Sequence, residues 1–318
     1  MSQPLRPTIA LLAFALALLV GAAPSHAEVQ VRWLGVAGFA IEAGDDTLLH
    51  DPYLSRPGFW RTALQRYVPD AAVIEPLLAA EGPAPELGRG DLILIGHSHF
   101  DHLGDAPFIA ERTGATVVGS GTTVAISRGY GLPEQQVRRA DPGDRVSQGA
   151  FEVRVIESRH MNLFLGRPPL VGTVETPPDG PIHALSFKLG DARGYLVTHR
   201  PSGLRLLLLS SAGLHRPAIE ALAAEGIRID VLLTSTVGRE DDFVRLLLEK
   251  LRPRIVVPHH YDDFFVPLSD PAAAAPTDED GLQAFEAEVR AVAAELGLAT
   301  EVRRPGLFDA MSFGPGSP

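Results

Sequence analysis

The stretch Leu92-Ile93-Leu94-Ile95-Gly96-His97-Ser98-His99-Phe100-Asp101-His102 decides how this chain is read. Its four apolar residues make a short, fully buried strand. Three histidines and an aspartate follow within six residues, at the point where α/β folds place functional loops. Imidazole and carboxylate are good ligands for Zn, Fe or Mn, and such a group is costly to bury unless an ion uses it. His97 and His99 are two apart, so in extended chain both rings project to one side and can share one ion. Asp101 and His102 are adjacent and turn in different directions, which suits a second ion or a supporting role.

The composition limits what surrounds this cluster. A chain of 318 residues, 45% hydrophobic and 21% charged, buries a real core. Its formal charge of -11 argues against nucleic acid, which demands a concentrated basic surface. The absence of cysteine removes thiolate from the possible ligands and nucleophiles, leaving histidine and carboxylate. At the N-terminus, Arg6 precedes an apolar run over 9–20, and small residues at Ser25 and Ala27 make a cleavage site. The run is shorter than the ~20 residues that span a bilayer. We therefore read 1–27 as a signal peptide and 28–318 as one domain, periplasmic or secreted, with no stable membrane anchor after cleavage.

Alternating or apolar segments predict strands at 29–34, 38–42, 47–51, 92–95, 115–118, 151–156, 183–188, 194–198, 204–209, 229–233 and 254–257. Helices are expected at 121–128, 217–225, 241–251 and 281–296. Residues 57–90 read as irregular or briefly helical. Five prolines and three glycines make 162–181 a loop, suited to lying over a site. β-rich stretches and βα alternation each occur twice, which fits a four-layer α/β sandwich, αββα. No internal repeat is evident.

The cluster His97, His99, Asp101, His102 resembles the H-x-H-x-D-H signature of the metallo-β-lactamase superfamily. Trp33-Leu34-Gly35-Val36-Ala37-Gly38-Phe39 and His50-Asp51-Pro52 look like the opening strands of its UlaG-like branch. Glu157-Ser158-Arg159-His160 falls where a third histidine of the first metal site is expected, and Pro258-His259-His260-Tyr261 resembles the late ligand segment. The resemblance implies the αββα fold, a first ion on His97, His99 and His160, and a second on Asp101, His102 and His260. Zinc is the expected metal, as one or two ions, with Mn or Fe as alternatives. Amidohydrolase barrels also use an H-x-H pair, but they lack the following Asp-His and require regular βα alternation.

Two departures matter. Superfamily members usually carry a bridging aspartate after a strand, where this chain has Ser210-Ser211-Ala212-Gly213. Losing it raises repulsion between two ions, so a strong first ion and a weaker second are expected. His215 and Asp262 are possible substitutes. The usual glycine-histidine of the opening motif is Gly35-Val36 here. The expected function is hydrolysis of an ester, lactone or phosphodiester bond in a small molecule by metal-activated water. Asp101 would orient the water or accept its proton if the second ion is absent, and His260 or a loop group would stabilise the oxyanion. The alternative is a non-catalytic periplasmic metal- or partner-binding protein. Asp51 is expected to support the ligands, and aromatic residues between Pro57 and Tyr67 are candidates for a pocket wall or for ordinary packing. The sequence leaves the oligomeric state open.

Overall fold

Strand β1 (Val29–Gly35) alternates buried and half-buried positions, then becomes fully buried as it nears the site. It opens a meander with β2 (Gly38–Ala43) and β3 (Asp46–His50), each pair antiparallel. The structure, a computed structural model, describes residues 28–163 and 166–314. The expected signal peptide at 1–27 lies outside the described residues.

The region 57–90 resolves into α1 (Phe59–Leu64), α2 (Ala71–Leu78) and a 3₁₀ turn at Pro85–Arg89. β4 (Leu92–Leu94) then pairs parallel to β3. The cluster continues into a single-turn helix α3 (Phe100–Leu103), followed by α4 (Ala106–Thr113), β5 (Thr116–Gly119), α5 (Gly121–Gly129) and β6 (Val137–Arg139). The second half repeats this plan. β7 (Arg145–Gln148), β8 (Phe151–Glu157), β9 (Arg193–His199) and β10 (Arg205–Leu209) run antiparallel in turn. α6 (Arg216–Ala224), β11 (Val231–Ser235), α7 (Phe243–Leu251), β12 (Ile255–His259), α8 (Glu279–Glu295) and β13 (Glu301–Val302) follow, with β10 to β13 parallel. β14 (Ala310–Phe313) returns to β1. The sheets are ordered β14-β1-β2-β3-β4-β5-β6 and β13-β12-β11-β10-β9-β8-β7. An antiparallel meander followed by parallel βα units thus occurs twice.

Three apolar layers hold the sandwich together. One lies between the sheets, where Trp33, Phe39, Phe151 and Tyr195 are fully buried. The others bury the outer face of each sheet beneath its helices. The four-layer αββα arrangement is therefore present.

The expected strand at 183–188 is absent. His183 caps a 3₁₀ turn at Ala184–Ser186, its Nδ1 accepting from Leu185 N (3.3 Å). Ala184 and Phe187 are buried while Leu185 is exposed, a spacing of three that belongs to a tight turn and not to a strand.

The pairing directions bring the C-terminal ends of β3, β4, β8, β10 and β12 to one edge of the sandwich. The next residues of each strand carry, respectively, Asp51, His97, His160, Ser210 and His260. Gly96 is needed for this convergence, because a Cβ there would sit 1.7 Å from Ser210 Oγ.

Candidate metal centre

His97 follows β4 after a bend at Gly96, and His99 takes the N-cap position of α3. Both rings face the same way, with His97 Nε2 and His99 Nδ1 3.0 Å apart. Between them Ser98 points into the core, its hydroxyl 2.9 Å from Thr123 Oγ1. His160 completes the group, its ring centroid 4.7 Å from His97 and 4.9 Å from His99. Its Nδ1 lies 2.8 Å from Met161 O, which fixes the ring and leaves Nε2 for a ligand. From the loop at 162–181, the Pro169 carbonyl faces His99.

The first turn of α3 carries Asp101 and His102 into a second group. Asp101 Oδ2 is 3.4 Å from His102 Nε2 and 3.3 Å from His260 Nε2. The two groups are adjacent, because the His97 and His102 rings lie 3.8 Å apart. Within each group one ligating atom per residue lies within 4.8 Å of the others, so His97, His99, His160 and Asp101, His102, His260 form two triads.

The support beneath them is built from Asp51. Its Oδ2 lies 2.8 Å from His102 Nδ1, and its Oδ1 accepts from Gly96 N at 2.7 Å. Ser210 also donates to Oδ2 and lies 3.1 Å from His50 Nε2. One buried carboxylate therefore aligns a ring of the second triad and the turn that launches the first.

Neither proposed substitute for the bridging aspartate enters the site. Asp262 is fully buried and paired with Arg56 (Nη2–Oδ2 2.6 Å), and it also accepts from Val36 N at 3.1 Å. His215 faces Glu157 across 3.4 Å in a separate cleft beside α6. The Ser211 hydroxyl accepts from Met161 N at 3.0 Å. Among the described residues, the two triads share no carboxylate. Val36, at the altered glycine-histidine position, works through its backbone. Its N–H binds Asp262 and its carbonyl accepts from His260 N at 2.9 Å. Val36, Asp51, Arg56 and His260 all adopt positive φ, so backbone strain gathers around the site.

The electrostatics separate the triads. Burial pushes His97 well below its usual 6.5, with His102, His99 and His160 adding to the effect. Burial likewise takes His99 down to about 3 and His160 to about 4. All three are neutral at ordinary pH, which is the form that binds metal. Burial would raise Asp101, but His102 and His260 outweigh it and hold the carboxyl well below the usual range. Burial opposes charge on His102 as well, yet Asp101 and Asp51 on either side lift it to about 10. Three neutral imidazoles, and a carboxylate with two imidazoles, fit divalent ions of the zinc, manganese or iron type. The first triad is ready for an ion, whereas the second must first release the His102 proton.

The metal-free protein should accordingly be acid-sensitive. For His97, His99 and His160 the folded values are depressed, so their contribution is complete above 6.5 and is lost as pH falls below it. Each costs about 1 kcal/mol between pH 7 and 5.5, roughly 3 kcal/mol together. His102 has the opposite sign: its contribution is complete below 6.5 and is lost as pH rises from there through about 10, so it offsets part of this loss between pH 7 and 5.5. Urea unfolding of chelator-treated protein at the two pH values reads the difference, and equal stabilities would contradict this assignment.

Residues 30–260 match the family described as beta-lactamase superfamily domain. The UPF0173 metal-dependent hydrolase of Pyrobaculum islandicum is 29% identical over 249 residues, 76% of this chain and 88% of that protein. Igni18, a metallo hydrolase from Ignicoccus hospitalis, aligns with a TM-score of 0.55 at 19% identity, covering 90% of this chain and 98% of its own. CmlA, a diiron β-hydroxylase from Streptomyces venezuelae, aligns with a TM-score of 0.54 at 17% identity, covering 90% of this chain and 54% of its own. At these identities the two structures show the fold alone. The matched family and the doubled αββα sandwich around His97 to His102 agree: this chain belongs to the beta-lactamase superfamily.

Proposed function

We propose that this metal-dependent hydrolase, exported behind residues 1–27, cleaves an ester, lactone or phosphodiester bond of a small molecule. The observation that carries the reading is the adjacency of the two triads, with the His97 and His102 rings 3.8 Å apart. His97, His99 and His160 would hold the first ion, and Asp101, His102 and His260 a weaker second. A bound divalent ion supplies Lewis acidity, polarising a carbonyl or phosphoryl oxygen and acidifying water. His102 and His260 hold Asp101 ionised, so it would orient the attacking water, or take its proton when the second ion is absent. His260, its side chain 18% exposed, would offer Nε2 to the developing oxyanion when the second ion is absent. Asp51 keeps the His102 ring fixed while this happens.

Export is supported by the apolar run and cleavage pattern over 9–27. Zinc is the metal we favour, and the diiron centre named for CmlA is the reason to test iron beside it. The decisive experiment loads chelator-treated protein separately with Zn, Mn and Fe and screens aryl esters, lactones and bis-phosphodiesters. Turnover on at least one class, abolished by chelator, is expected. Tight metal retention with no turnover on any class would instead establish the metal-binding alternative.

A further inference from the structure

A continuous run of aromatic rings leads from the candidate site to the surface. His260 meets Phe264 edge-on at 6.2 Å between centroids, and Phe264 lies against Phe265 at 4.5 Å. Phe265 takes Phe59 edge-on at 5.2 Å, and Phe59 takes Trp60 edge-on at 5.2 Å. Phe100, the neighbour of Asp101, touches Phe264 and Phe265 from the other side. Exposure rises along the run, from 18% for the His260 side chain to 53% for Phe59 and 73% for Trp60. Phe264 and Phe265 pack on the outer core, whereas Phe59 and Trp60 belong to no core cluster. Two adjacent large aromatics left in water are unfavourable unless something covers them.

We propose that Phe264, Phe265, Phe59 and Trp60 form an apolar wall that binds an acyl chain or aryl group of the substrate while its scissile bond lies at Asp101 and His260. This rests on the hydrolase reading and names the substrate class: a small molecule with a bulky neutral apolar arm. Continuity with the site is the argument for a substrate. The wall begins at a candidate catalytic ring, and its inner half would serve no purpose for a partner seated only on Trp60. The arginines of this segment are also engaged, Arg61 with Asp70 and Arg66 with the Pro181 carbonyl.

The chain holds two tryptophans, Trp33 fully buried and Trp60 exposed, so an emission change on ligand binding that disappears in the F59A/W60A variant reports Trp60. Zinc-loaded full-length protein is titrated with octylphosphonate and with methylphosphonate below micellar concentrations. The octyl compound should bind at least tenfold more tightly and shift the emission to the blue, and the methyl compound should leave it unmoved. With both affinities read by titration calorimetry, which does not depend on Trp60, the octyl-to-methyl preference should fall at least tenfold in the F59A/W60A variant. The kcat/KM ratio for p-nitrophenyl octanoate over acetate should fall by a similar factor. Absence of turnover on esters, lactones and bis-phosphodiesters alike would sink the hydrolase reading, while the titration would still decide the wall. Equal affinity for the two phosphonates overturns the wall. So does a blue shift that follows protein concentration alone, which indicates a second copy, or one that appears with phosphatidylglycerol vesicles and not with octylphosphonate.

Discussion

Replacing His99 with alanine should lower kcat/KM by about a thousandfold or more on any substrate the protein turns over, and should strip the first triad of tightly held metal. His99 is 5% exposed and its Nδ1 faces His97 Nε2 at 3.0 Å, so the substitution removes one of three convergent donors and leaves no neighbour to replace it. Metal polarisation contributes several kcal/mol of transition-state stabilisation, and about 4 kcal/mol corresponds to a thousandfold. Metal analysis and steady-state kinetics on the same preparation make the comparison. The loss is separable from misfolding, because His99 is destabilising in the metal-free protein at acid pH. Its burial takes the imidazole down to about 3. Chelator-treated His99→Ala should therefore lose about 1 kcal/mol less than the parent between pH 7 and 5.5. Asp51→Asn should be milder, about 10- to 100-fold in metal affinity or activity, since Asp51 holds His102 and the Gly96 turn in place without belonging to either triad. Undiminished turnover in His99→Ala would remove the first triad from the mechanism.

The sequence made the His97/His99 pair and the layer order legible because both are local signals. The His97-x-His99 spacing fixes which way two rings point, and buried strands such as Ile255–His259 announce themselves by apolar runs. His160 and His260 came from a resemblance, and the structure brings their rings to the triads that the resemblance implied. What was not legible depends on distant partners. Nothing near Asp51 shows that it meets His102, Gly96 and Ser210, and nothing near Asp262 shows that Arg56, far away in sequence, has claimed it. Residues 183–188 alternate like a strand, yet the side chain of His183 caps a turn instead. The candidate replacements for the bridge failed for the same reason: both carry suitable chemistry, and both face partners the sequence does not reveal.

Arg56→Met should destabilise the protein by about 3–5 kcal/mol, because it strands a carboxylate where water cannot reach it. Arg56 and Asp262 side chains are both 0% exposed. The guanidinium donates to Asp262 at 2.6 Å and to the Ala273 carbonyl at 2.9 Å, and Gly35 makes room for it, since a Cβ there would lie 1.7 Å from Nη2. Once Arg56 is gone, Asp262 keeps only the N–H of Val36. A buried pair is poor evidence of stabilisation relative to apolar residues, so the double variant Arg56→Met/Asp262→Leu should recover most of the loss. That recovery isolates what the pair does for the site. Asp262 lies two residues after His260, and Val36 binds both Asp262 and the His260 N–H. The pair therefore pins the loop that presents His260 at positive φ. The double variant should be stable and should keep the ion on His97, His99 and His160, yet show a lowered kcat as His260 drifts from Asp101. Urea unfolding, metal content and kcat on the two variants measure these terms separately. A destabilisation below about 1 kcal/mol in Arg56→Met would contradict the buried-pair argument. Full kcat in the double variant would show that His260 is placed by the Val36 backbone alone.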